Sequence, residues 1–220
     1  MTDRISISDL KKMLTEAARR LRDRHEYLSQ LDCAAGDGDH GTTMLMTSQQ
    51  IEAAVRDASS QNTRELLQNC GWRVLGVDGG ASSALLGTFF AGMAEAASES
   101  DFDCEALAAA FESGLNALMQ QSKARPGDKT MMDALVPAVN SLRAAANSGT
   151  PVPAALERAA AAAAAGAEAT KMLVARFGRA KFLGEKTVGH ADPGAVSIAL
   201  LFSGFSQALA PLQENDDGRP

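Results

Sequence analysis

Apolar residues recur at helical spacing along nearly the whole chain, while the alternating pattern of a half-buried strand is almost absent. In DLKKMLTEAARRLRDRHEYLSQL, which begins at Asp9, Leu10, Leu14, Ala17, Ala18 and Leu21 form one stripe, and Lys11, Arg19, Arg22 and Asp23 are left for solvent. Ser6 or Ser8 is the expected cap of this first helix. The same rhythm returns from Thr42 or Thr43 through MLMTSQQIEAAVRDA, and again in the stretch capped by Thr63. It continues in ALLGTFFAGMAEAASES, in CEALAAAFESGLNALMQQS and in MMDALVPAVNSLRAAANSG, where Pro137 either kinks the helix or lies near its start. Residues 151–176, including the alanine run, read as one long helix, and VSIALLFSGFSQALAPL reads as the last. Aromatic residues make up only 5% of the chain, and the bulk is Ala, Leu, Met, Glu, Arg and Gln, so the fold class predicted is all-α. About eight antiparallel helices on short loops make a bundle or helical barrel.

With 220 residues and no interdomain linker, a single domain over 1–220 is expected, with 1–7 and 213–220 as frayed tails. The net charge of −6 argues against nucleic acid as a direct partner. No apolar run is long enough to span a bilayer, and no leader pattern opens the chain. Cys33, Cys70 and Cys104 are odd in number and widely spaced, which suits a reducing, cytoplasmic setting without disulfides or a zinc site.

The breaks between helices hold the unusual chemistry. Three of them, DCAAGDGDHGTT, VDGGASS and GHADPGA, combine glycine with acid, hydroxyl or histidine, and they read as one site assembled from separate loops. Asp32, Asp37 and Asp39 cluster on a glycine-punctuated turn with no Lys or Arg nearby in sequence. Such a cluster requires a hard cation, and oxygen-only ligands select magnesium, calcium or manganese over zinc. Against this stands the ordinary use of Asp and Gly in turns. An EF-hand is excluded, because the twelfth position counted from Asp37 is Ser48, not an acid. GVDGGASSALLG suits a phosphate-cradling turn with Ser82 and Ser83 at a helix start, although no Walker motif follows. His40 and His190 belong to the candidate site, whereas His25 is expected to face solvent. No Ser-His-Asp or Cys-His arrangement suggests a covalent nucleophile.

Taken together, LDCAAGDGDHGTTM, GGASSALLGTFF, ARPGDKTMMDALVPA and GRAKFLGEKTVGHADPGA strongly resemble the DhaL-type subunit of dihydroxyacetone kinase, in that order. The resemblance implies an antiparallel barrel of eight helices with the nucleotide at one end. It implies that Asp32, Asp37 and Asp39 bind two magnesium ions bridging the phosphates of ADP or ATP. It also implies nucleotide contacts from His40, Gly41, Thr42, Thr43, Ala81, Ser82, Met131, Arg179, Asp192, Pro193 and Gly194. Two positions depart from the family pattern: Thr43 stands where the family often has asparagine, and Ser83 where it often has glycine.

The same resemblance implies a phosphotransferase whose γ-phosphate passes to dihydroxyacetone held on a separate ketose-binding subunit, with no catalytic residue from this chain beyond the metal–nucleotide site. A phosphohistidine phosphocarrier that rephosphorylates bound ADP, a homodimer, a different ketose such as erythrulose, and a regulatory module that reports nucleotide state all stay open at this point. The docking surface is expected around the magnesium loop, with Lys123, Arg125 and Lys129 meeting an acidic rim on the partner.

Overall fold

The computed structural model describes residues 4–34, 36–59, 61–98 and 101–210. Nine α-helices occupy most of these residues: α1 (Ile7–Asp23), α2 (His25–Cys33), α3 (His40–Arg56), α4 (Thr63–Leu75), α5 (Gly80–Ala96), α6 (Cys104–Gln121), α7 (Met132–Asn147), α8 (Val152–Ala169) and α9 (Pro193–Ala208). Two 3₁₀ segments, Thr170–Met172 and Ala180–Thr187, lie between α8 and α9. Helix packing closes a ring: α1 lies against α3, each of α3 to α8 packs on the next, α8 packs on α9, and α9 returns to α1. Eight helices therefore form the barrel, and the short α2 sits outside the ring against α3 and α9.

Local signals account for most boundaries. Ser6 and Asp9 form a reciprocal capping box at the start of α1, a device that contributes on the order of 1 kcal/mol. The long first helix expected from the sequence breaks at Arg24, so that α2 begins at His25. His25 is half-buried rather than solvent-facing, and its Nδ1 lies 2.7 Å from the Arg22 carbonyl oxygen. The expected tail over 1–7 does not hold from Arg4 onward. Arg4–Ile5 forms a strand, β1, that pairs antiparallel with β2 (Phe102–Asp103), and α1 starts at Ile7. Residues 213–220 lie outside the described residues.

Asn62, not Thr63, caps α4: its side chain accepts the Glu65 N–H at 3.2 Å. Pro137 lies inside α7. The alanine run lies inside α8, which ends at Ala169, short of the expected 176. Small side chains let α8 lie close to its neighbours, while the barrel interior is filled by larger ones. Phe89, Phe90, Phe111, Phe202 and Phe205 interlock with ring centroids 5.4 to 5.8 Å apart, mostly edge to face. Such pairs contribute about 0.5–1.5 kcal/mol each beyond the area they bury. None of the helices among the described residues is long and apolar enough to cross a membrane.

In a ring of antiparallel helices alternate connections fall at the same end. The segments after α2, α4, α6 and α8 therefore share one end of the barrel, and the N-termini of α3, α5, α7 and α9 point towards it. Four N-termini bring their unpaired N–H groups and positive dipole ends to one place, which favours anions.

Candidate functional site

A cleft of about 340 Å³ opens at that end, walled by residues from all four connections. Asp32, in the last turn of α2, and Asp37 and Asp39, in the loop to α3, stand at one side of it. Each offers a carboxylate oxygen, and the three oxygens lie within 4.8 Å of one another. Asp32 is on a helix rather than on the turn expected from the sequence, and that anchors the cluster. Its Oδ2 accepts the His40 N–H at 3.2 Å, taking over the cap of α3 that Asp39 does not make. Gly36 leaves room for this carboxylate, since a Cβ at this position would force the Asp32 side chain to shift.

The cluster has a basic partner after all. Arg179, brought in by the long loop between α8 and α9, contacts the Asp37 carboxylate and lies 3.6 Å from that of Asp39. This guanidinium is exposed and on a loop, so it occupies the place of a counter-ion without being fixed there. Three oxygen ligands with no sulfur or imidazole among them suit a hard divalent cation, and the residues therefore fit magnesium.

Behind the carboxylates, the buried His40 joins two hydroxyls. Its Nε2 lies 2.8 Å from Ser197 Oγ and its Nδ1 lies 3.3 Å from Ser82 Oγ. The Ser197 hydroxyl donates to the Pro193 carbonyl at 3.0 Å, so Nε2 carries the ring proton and Nδ1 accepts from Ser82. Burial pushes the His40 pKa down, against the Asp32 charge and the hydrogen bond to Pro193. The ring is accordingly neutral at pH 7. The neighbouring Ser83 is buried and takes no part in this chain of bonds. Its hydroxyl donates to the Val77 carbonyl at 3.1 Å, closing the turn before α5.

On the opposite wall, Asp192 caps α9 by accepting the Ala195 N–H at 2.7 Å. Burial pushes its carboxyl up to about 7; the Ala195 N–H and Lys129 oppose this, and the charges of Asp133 and Asp32 reinforce it. Met131, Thr130 and Ala124 supply an apolar flank close to Phe177 of the long loop.

The structure thus brings Asp32, Asp37, Asp39, His40, Ala81, Ser82, Met131, Arg179, Asp192, Pro193 and Gly194 to one cleft. It does not bring Gly41, Thr42 or Thr43 to the cleft wall. Gly41 faces away, where a Cβ would come within 1.9 Å of the His25 carbonyl. Thr42 is exposed, and Thr43 is buried beside Gly79. Lys129 is buried and not on the surface, unlike Lys123 and Arg125. Sequence reasoning missed Ser197, one helical turn beyond Pro193, and Asp133, which organises the loop before α7. It also missed the pairing of Arg179 with the aspartates. Among the described residues the three cysteines are free.

A closed ring of antiparallel helices with carboxylates, helix N-termini and an arginine gathered at one rim defines a class of all-helical domain with a polar, charged cleft at its loop end. The chain belongs to the DAK2 domain family, as a DhaL-type member; the family's profile matches residues 34–207. It is 36% identical to the ADP-binding subunit DhaL of the PEP-dependent dihydroxyacetone kinase of Escherichia coli, over 90% of this chain and 94% of that subunit. It is 38% identical to the L-erythrulose 1-kinase of Mycolicibacterium smegmatis, over 85% of this chain but only 33% of that protein. The dihydroxyacetone kinase of C. freundii, solved in complex with AMP-PNP and Mg2+, superposes with a TM-score of 0.69 at 28% identity, covering 90% of this chain and 33% of that one.

Proposed function

We propose that the chain is a single-domain nucleotide-binding subunit of a cytoplasmic dihydroxyacetone kinase, which presents the γ-phosphate of Mg-ATP to dihydroxyacetone held on a partner subunit. The observation that carries this reading is the convergence of Asp32, Asp37 and Asp39 at the mouth of a cleft that four helix N-termini face. The near-complete coverage of a relative named as an ADP-binding kinase subunit supports it.

Asp32, Asp37 and Asp39 would hold two magnesium ions, which supply charge neutralisation for the phosphates. The remaining work falls to the chain itself. N–H groups at the start of α5, at Ala81 and Ser82, receive phosphate oxygens. The neutral His40, held by Ser197, orients the Ser82 hydroxyl. Arg179 is placed to leave the carboxylates for the nucleotide once a metal takes its position. Met131 and the α9 start at Asp192, Pro193 and Gly194 form the wall for base and ribose.

No loop of the cleft combines the groups needed to bind and orient a triose, and orientation is worth about 7–11 kcal/mol in such transfers. A separate ketose-binding partner follows from this. The long rim segment between α8 and α9 suits a protein contact: Met172 and Phe182 are 80% and 81% exposed, among Lys171, Arg176, Arg179, Lys181 and Lys186. Rephosphorylation of bound ADP by a phosphocarrier is the version favoured by the likeness to a PEP-dependent enzyme. The likeness to an L-erythrulose kinase favours a second reading, with a four-carbon ketose as acceptor.

The test is to assay the purified chain with Mg-ATP and dihydroxyacetone or erythrulose, alone and with a ketose-binding kinase subunit. Turnover is expected only with the partner. Robust turnover by the chain alone would refute the two-subunit reading.

A further inference from the structure

We propose that Lys129 is a positioning residue whose buried ammonium clamps the loop before α7 to the long loop before α9, and so fixes the wall of the cleft that these two loops build together. The inference rests on the reading that the cleft takes a magnesium–nucleotide complex.

Two features that are each unfavourable meet at this residue. Lys129 has a φ of 60°, the one positive value outside glycine among the described residues. Its side chain is also 3% exposed, and no described carboxylate lies within ion-pair distance of it. A left-handed lysine and a buried ammonium both cost free energy, and such residues persist where the surroundings over-determine them, characteristically at functional sites.

The surroundings show what the strain achieves. Lys129 Nζ donates to the Thr170 carbonyl and to the His190 carbonyl, both at 2.6 Å. These two acceptors lie at opposite ends of the long loop. Thr170 also receives the Asp192 N–H on its hydroxyl at 2.8 Å, so the clamp reaches the residue that caps α9. On the other side, Asp133 accepts the N–H groups of Gly127 and Thr130, the latter at 2.7 Å. That rolls the loop over the start of α7 and turns Lys129 inward. Met131 and the α9 cap Asp192, on adjoining loops of the same wall, are thereby tied through a single amine. A methionine of similar length carries no donor for either carbonyl, and loss of the amine leaves both acceptors buried without it.

The experiment uses the full chain with Lys129→Met, Lys129→Gly and Lys129→Arg. Lys129→Gly accepts the left-handed backbone and leaves a channel that n-butylammonium can fill. Calorimetry with Mg-ADP and hydrogen exchange across residues 170–192 are the readouts. The expected result is at least tenfold weaker Mg-ADP binding in the Met and Gly variants, with faster exchange at the Gly189 and Asp192 amides. Partial recovery in Lys129→Arg, and in Lys129→Gly with millimolar n-butylammonium but not with n-pentanol, is also expected. A loss through poor folding alone would respond to neither cation. With a ketose-binding partner present, KM for the nucleotide should rise while kcat changes little.

Met and Gly variants that bind Mg-ADP within twofold of the parent would overturn the proposal, and so would recovery that is equal with the neutral alcohol. A parent protein that itself fails to bind Mg-ADP would instead overturn the functional reading on which the proposal stands.

Discussion

Asp192→Asn tests the electrostatics of the cleft quantitatively. The carboxyl of Asp192 is pushed from 3.8 to about 7, chiefly by burial. An acid whose folded pKa lies above its unfolded one binds its proton more tightly when native, so it stabilises the fold at low pH. That contribution is lost as pH rises through the window between the two values. Taking 3.8 and about 7 as the two pKa values, the linkage relation gives a loss of about 3 kcal/mol between pH 5 and pH 8. Asparagine is isosteric, keeps an oxygen to accept the Ala195 N–H as a cap, and does not titrate. Denaturant unfolding of both proteins at pH 5 and pH 8, in magnesium-free buffer, isolates the effect as a double difference. His40 acts in the opposite direction, because its lowered pKa adds stability as pH rises, and it cancels between the two proteins to first order. The variant should gain about 3 kcal/mol relative to the parent on going from pH 5 to pH 8. Parallel pH profiles would refute the claim that Asp192 is held protonated by its surroundings.

Other substitutions separate binding from docking. Asp37→Asn should leave a folded helical domain but remove the stabilisation that Mg-ADP confers on the parent, which is about 2.7 kcal/mol at a hundredfold excess over Kd. A thermal-shift titration reads this directly, and an unfolded variant would instead mark the loop as structural. Phe182→Ser, on the exposed rim, should change stability by no more than about 0.5 kcal/mol and leave Mg-ADP affinity intact. It should nevertheless weaken the apparent affinity for a ketose-binding partner by an anchor-sized effect of about 2 kcal/mol, roughly thirtyfold. Unchanged partner dependence in steady-state assays would place the docking surface elsewhere.

The helical architecture was legible because it follows from local chemistry: periodic stripes, Ser6 as a cap, and glycine clusters at the breaks. The aspartates, His40 and Ser82 were legible because their residue types stood together in loops where a bundle needs only polar turns. What was not legible depends on contacts between distant parts of the chain. Arg179 is far from Asp37 in sequence, so the cluster looked uncompensated until the ring closed and brought the long loop across it. Lys129 looked like a surface cation, since nothing nearby in sequence announces that Asp133 rolls its loop inward. Ser197 sits on a largely apolar helix and gains its meaning only through His40. The break at Arg24 was hidden because the apolar stripe of α1 runs on into α2 without a proline or glycine.

In the proposed function the aspartate cluster and the cleft act as one site for a metal and a nucleotide together. Calorimetric titration of ADP into the chain with millimolar magnesium, and again with excess chelator, tests it most directly. Saturable binding is expected with magnesium, and at least a hundredfold weaker binding without it, because the carboxylates repel the phosphates once no cation joins them. Equal affinity under the two conditions would contradict it.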